Sequence, residues 1–130
     1  MTYHFSKILS GISFDEAVAR TTKALNAEGF GILSDIDVQA ALKKKLDIDF
    51  RKYRILGACN PPLAYRALQH EDKIGTMLPC NVVVQQLGDK DIEVSAVDPV
   101  ASMQAVNNPD LGTVADLVRA KLRRVIEGLS

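Results

Sequence analysis

The chain has 130 residues, and its 16 basic and 16 acidic side chains cancel to a formal net charge of zero. That length suits one ordinary domain with its own core, and the balance provides no field to draw the chain to nucleic acid or to an anionic membrane. Tryptophan is absent and aromatics are 5% of residues, too few for a surface that stacks single strands. Two cysteines do not make a disulfide framework. The start, Met-Thr-Tyr-His-Phe-Ser-Lys, has neither a basic n-region nor an apolar h-region. No apolar run reaches the roughly 20 residues that span a bilayer. The expectation is a single domain over residues 1–130, cytoplasmic, with reduced thiols.

From Thr2 to Leu9 the residues alternate, with Tyr3, Phe5 and Leu9 on one face, which predicts a half-buried strand. Gly11 breaks it. Ser13 to Glu16 reads as a capping box, Ser13 as N-cap and Glu16 reaching back. The helix that follows, Phe14 to Glu28, carries Phe14, Ala17, Val18, Thr21 and Leu25 on one stripe and ends at Gly29. Phe30, Ile32, Ser34 and Ile36 alternate as a second strand. Asp37 caps a second helix with Val38, Ala41, Leu42 and Leu46 inward and Lys43, Lys44 and Lys45 outward. With Arg51, Lys52 and Arg54 these lysines form a local basic cluster, read first as a solvated face and second as a place for an anionic ligand or acidic partner.

Tyr53 to Cys59 is the third strand. Asn60-Pro61-Pro62 opens a helix, Asn60 as N-cap and Pro61 at N1, with Leu63, Ala64, Tyr65 and Leu68 facing the core and an end near Asp72. Gly75 permits a turn. Cys80 to Leu87 and Ile92 to Val97 form a hairpin across Gly88 to Asp91. Asp98-Pro99 repeats the cap-then-proline signal and opens a short helix with Val100, Met103 and Val106. After Asn108-Pro109 comes the most periodic element, with Val114, Leu117, Val118, Lys121, Leu122, Val125, Ile126 and Leu129 on its stripe and Gly128 at its close.

This order predicts a two-layer α+β domain: a mainly antiparallel sheet of about five strands with helices packed on one face. Val82 and Val84 point to one side and Val83 and Leu87 to the other, so both faces are partly apolar. A second subunit or the short middle helices would then cover the second face.

The chain resembles the bacterial and archaeal domain-of-unknown-function family numbered three hundred and two. The resemblance covers nearly the whole chain. It rests on Gly29-Phe30-Gly31-Ile32, on Tyr53-Arg54-Ile55-Leu56-Gly57-Ala58-Cys59-Asn60-Pro61-Pro62, on Ala64, on Gly75 before Leu78-Pro79-Cys80-Asn81-Val82-Val83-Val84, and on Asp98-Pro99. It implies a compact two-layer domain similar to the TATA-binding-protein or helix-grip class, paired as a homodimer, and it implies no particular reaction. The neutral charge argues against DNA binding despite that fold likeness.

Candidate chemistry gathers between Tyr53 and Gln85. Cys59 ends the third strand just before a helix N-cap, where the helix dipole favours a thiolate, and Cys80 begins the fourth. If those strands are antiparallel neighbours, the two thiols lie at one end of the sheet. They are then a reversible redox or thiol-transfer pair, a shared soft-metal site, or two independent core residues. Pro61 and Pro62 remove two backbone donors, which makes this helix end a poor phosphate cradle. His4 and His70 stand outside any ligand-type spacing, so no metal and no cofactor is expected. Asn60 caps its helix, while Asn81 is expected to line a pocket mouth with Tyr53, Arg54 and Asp98. The leading reading is a small-molecule or partner-binding module with its site near the ends of the third and fourth strands. The alternatives are a thiol-dependent redox or thiol-transfer enzyme using Cys59 and Cys80, or an interaction scaffold.

Overall fold

A computed structural model of the chain describes residues 2–130. Its elements are β1 (His4–Ser10), α1 (Phe14–Ala27), β2 (Gly31–Asp37), α2 (Val38–Leu46), β3 (Tyr53–Cys59), α3 (Pro61–His70), a 3₁₀ turn (Ile74–Met77), β4 (Cys80–Gln86), β5 (Asp91–Val97), α4 (Pro99–Ser102) and α5 (Leu111–Glu127). Short polar residues start the helices by accepting bonds from free backbone N–H groups. Ser13 Oγ accepts from Glu16 N at 3.0 Å, Asp37 Oδ1 from Ala40 N at 2.9 Å and Asp98 Oδ1 from Val100 N at 3.0 Å. The capping box is only half made, because Glu16 turns instead to Arg20 Nε at 2.9 Å. At the other end of α1, Gly29 takes the left-handed conformation, φ +87°, that ends a helix cheaply only without a Cβ.

The strands form one sheet in the order β1-β5-β4-β3-β2, and every pairing is antiparallel. Ala58 faces Cys80 and Leu56 faces Val82, and Val82 in turn faces Ala96. This row points to the helices: Leu56, Val82, Val84, Ile92 and Val94 are all buried. Against them pack Phe14, Ala17, Thr21 and Leu25 of α1 and Val114, Val118, Leu122, Val125 and Ile126 of α5. Thr21 is satisfied in the core by donating to the Ala17 carbonyl at 2.7 Å. The architecture is the expected open antiparallel sheet of five strands with helices packed on it. Among the described residues, no helix is long and apolar enough to cross a membrane.

Several expected inward residues lie outside. Tyr3 precedes β1 and is 67% exposed, and Leu46, Tyr65 and Leu68 are also exposed. α2 has no fully buried residue, since it sits at the margin beside β3. In β2 the register shifts between Ile32 and Ser34, so Leu33 is an extra residue that bulges out at 69% exposure. The bulge inverts the alternation. Ile32 pairs with Ala58 on the helix face, whereas Ser34 pairs with Gly57 and Ile36 with Ile55 on the opposite face. In α5, Leu117 falls on the flank of the buried stripe and is 41% exposed, whereas Leu122 is fully buried.

Leu122→Ala is therefore expected to lower unfolding stability by about 2–5 kcal/mol, and Leu117→Ala by less than about 1 kcal/mol, as read from urea unfolding curves. Equal losses would show that the flank of α5 is buried after all.

Candidate functional site

The joined ends of β3 and β4 form one wall of an apolar cleft of about 320 Å³. Its floor is Ala58 beside Cys80, with Pro79 at the edge following a cis Leu78–Pro79 bond. α3 contributes Leu63, Ala64 and Ala67, and α5 contributes Val114, Ala115 and Val118. Phe30, the bulged Leu33, Leu68 and Met103 complete the rim and walls. Ala64 and Ala67 of α3 and Ala115 of α5 present only methyl groups to this space. Gly57 secures the neighbouring strand packing. A Cβ on it would collide with Ser34 Oγ and stand 2.7 Å from Pro79 Cγ, so only glycine lets β2 and the Pro79 segment close over β3 here.

No Asp, Glu, Lys, Arg or His side chain lines the cleft. Burial pushes the Cys80 thiol up to about 11, with the neighbouring Cys59 adding to the rise. Cys59 is half-buried and sits diagonal to Cys80 across the Ala58–Cys80 pair. A thiol raised in this way offers less of the thiolate that a resolving cysteine must supply than a free cysteine does. Asn60, the one amide in the lining, is already engaged: its Oδ1 accepts from Leu63 N and its Nδ2 donates to the Glu28 carbonyl, both at 3.4 Å.

Of the residues singled out from the sequence, Cys59, Asn60 and Cys80 meet at this cleft. Tyr53 and Asn81 lie together in a second hollow on the opposite face of the sheet. Arg54 lies apart from both: it forms a two-bond ion pair with Asp35, Nε to Oδ1 at 2.8 Å and Nη2 to Oδ2. That hydrogen bonding lowers the Asp35 carboxyl and raises Arg54. Asp98 is buried, caps α4 and stands 3.3 Å from Arg119 Nε. The expected mouth of Tyr53, Arg54, Asn81 and Asp98 is thus split among three places, because alternation turns Tyr53 and Arg54 to opposite faces of β3 and ion pairing commits Arg54 to Asp35 and Asp98 to Arg119. The basic cluster is divided too. Lys43 pairs with Asp47 and Asp49, and Arg51 lies over the Phe50 ring and donates to Gln85. Among the described residues, no three His, Cys, Asp or Glu side chains are grouped to hold a metal ion. Apart from Cys59, Asn60 and Cys80, the residues lining the cleft, Ala67, Met103 and Ala115 among them, were not expected at a site. The small Ala64 and Ala67, three apart on α3, were the available signal.

The sequence matches the family described as Domain of unknown function DUF302 over residues 5–129. The chain belongs to the DUF302 family. No curated protein matches it. This DUF302 chain is also similar to a solved structure, the crystal structure of an uncharacterized conserved protein DUF302 from Bacillus stearothermophilus. The two are 27% identical, each is covered over 100% of its length, and the TM-score is 0.91.

The raised Cys80 value sets a pH dependence. Between the ordinary thiol value of 9.0 and about 11, the unfolded chain releases this proton and the folded chain keeps it. Stability from this burial is complete below that window and falls as pH rises through it. Urea unfolding at about pH 8 and about pH 10 is expected to show a smaller alkaline loss in Cys80→Ala than in the native chain. Parallel losses would show that Cys80 ionises as freely folded as unfolded.

Proposed function

We propose that this DUF302 protein is a small-molecule binding module that takes the apolar part of its ligand into the cleft between β3, β4, α3 and α5. The observation that supports this reading is the cleft's lining, which holds no Asp, Glu, Lys, Arg or His and a single amide, Asn60, that is already engaged. Its volume lies at the small end of the range for ligand pockets, about 300–1,000 Å³. With no charged group in the wall, recognition rests on removing apolar surface from water. Burying about 200 Å² at about 25 cal/mol per Å² contributes on the order of 5 kcal/mol before the entropic cost of association. The implied affinity is modest, and selectivity comes from shape. A polar head group stays at the mouth, outside the apolar wall.

Titration with anilinonaphthalene sulfonate is expected to give a saturable fluorescence rise that hexanol competes away. Ala64→Phe fills the cleft from α3 and is expected to abolish the rise while the chain stays folded by circular dichroism. Binding unchanged in Ala64→Phe would place the probe elsewhere and remove this reading.

A further inference from the structure

The face of the sheet turned away from the cleft carries its own hollow, of about 330 Å³. The register builds it. Asn81, Val83 and Gln85 of β4 lie beside Val97, Ser95 and Glu93 of β5 and make a floor two strands wide. The walls come from the flanking strands: Tyr53 at the start of β3, and Tyr3 with His4 at the start of β1. The Tyr3 and His4 rings meet edge to face, with centroids 4.8 Å apart.

Two hydrogen-bond chains fix the polar groups of this floor. Arg51 Nε donates to Gln85 Oε1 at 2.9 Å, which turns the Gln85 amide so that Nε2 donates to Glu93 Oε1 at 3.1 Å. Ser95 Oγ is 2.8 Å from Ser6 Oγ, and Ser6 Oγ is 2.8 Å from His4 Nδ1. Glu93 is half-buried, and it forms no ion pair among the described residues. One neutral amide bond leaves most of a carboxylate's acceptor capacity unused.

We infer that this second hollow binds the primary ammonium group of a small organic amine. An ammonium brings a positive charge and three N–H donors and no acceptor. The hollow answers with the held Glu93 carboxylate and the Ser95 hydroxyl oxygen, with the exposed Asn81 amide at one end. Val83 takes the alkyl body; the Tyr53 ring already meets the Arg51 guanidinium, 5.7 Å from its centroid, so Tyr3 is the aromatic wall left for the cation. Arg51 acts through Gln85 as a positioning residue: it fixes which end of that amide meets Glu93. The site is independent of the apolar cleft, because Asn81 and Val83 alternate with Cys80 and Val82 and point to the other side of the sheet.

The test is a matched pair of probes on the full chain, butylammonium chloride and butanol, followed by backbone amide shifts. Saturable shifts at Asn81, Glu93 and Ser95 are expected with butylammonium, with butanol weaker by about tenfold, the scale of one partly screened charge pair. Glu93→Gln, which keeps the contact with Gln85, is expected to lose the preference for the amine, and Asn81→Ala to weaken binding while leaving that preference. Equal binding of the two probes, or an amine preference that survives in Glu93→Gln, overturns the assignment. So does the absence of saturable shifts with either probe, including the case in which sedimentation shows this face buried against a second copy.

Discussion

The pairing of Ala58 with Cys80 decides more of this molecule than any other contact. Side chains alternate along a strand, so this one register sends Leu56, Ala58, Cys80, Val82 and Val84 toward the helices, and Tyr53, Ile55, Asn81 and Val83 the other way. A slip of one residue would turn Asn81 and Val83 into the core and leave Val82 in water. The burial of Leu56, Val82 and Val84 on one side forbids that slip. Gly57 adds a steric lock, since the Pro79 ring and the Ser34 hydroxyl occupy the space beside its Cα. The apolar cleft on one face and the polar hollow on the other are two results of the same register.

The cleft is also a choice against maximal packing. Protein interiors fill to the density of organic crystals, and larger side chains at Ala64, Ala67 or Ala115 would bring this corner toward that density. Such filling commonly stabilises a natural protein, with lost function as the recurrent cost. Away from the cleft, Leu25, Ile92 and Leu122 are packed to zero exposure.

The local parts of this structure were legible in the sequence because they rest on local chemistry. Ser13, Asp37, Asn60 and Asp98 each announce a helix by the oxygen they offer to N–H groups two or three residues on. The β4–β5 hairpin follows from its turn residues, and the five-strand sheet from the count of alternating runs. The meeting of the strand ends was legible, since β3 and β4 pair antiparallel and bring Cys59, Asn60 and Cys80 to one cleft. The bulge at Leu33 was hidden, because an extra residue in an apolar-polar run still looks like a strand while the faces swap beyond it. Leu117 misled for a related reason: it lies at the margin of a helical stripe, where spacing alone does not separate buried from exposed. Arg54 and Asp98 looked free because their partners, Asp35 and Arg119, are brought to them only by the tertiary fold.

Those ion pairs explain how a chain that is 25% charged keeps one corner free of charge. Arg54 is turned to Asp35 on β2, and Asp98 to Arg119 on α5, so neither faces the cleft. Glu28, at the end of α1, ties two walls together. Its carboxylate accepts from Arg124 of α5 at 2.9 Å, which lowers its pKa, and its carbonyl accepts from Asn60 at the head of α3. The links made by Glu28 are partly open to solvent and screened by it, so stability is not their main effect. Their effect is geometric: they hold the ends of α1, α3 and α5 together around a space that the side chains alone do not fill, and they commit the nearby charges elsewhere. An apolar lining then follows from where the charges are bound as much as from which residues line the space.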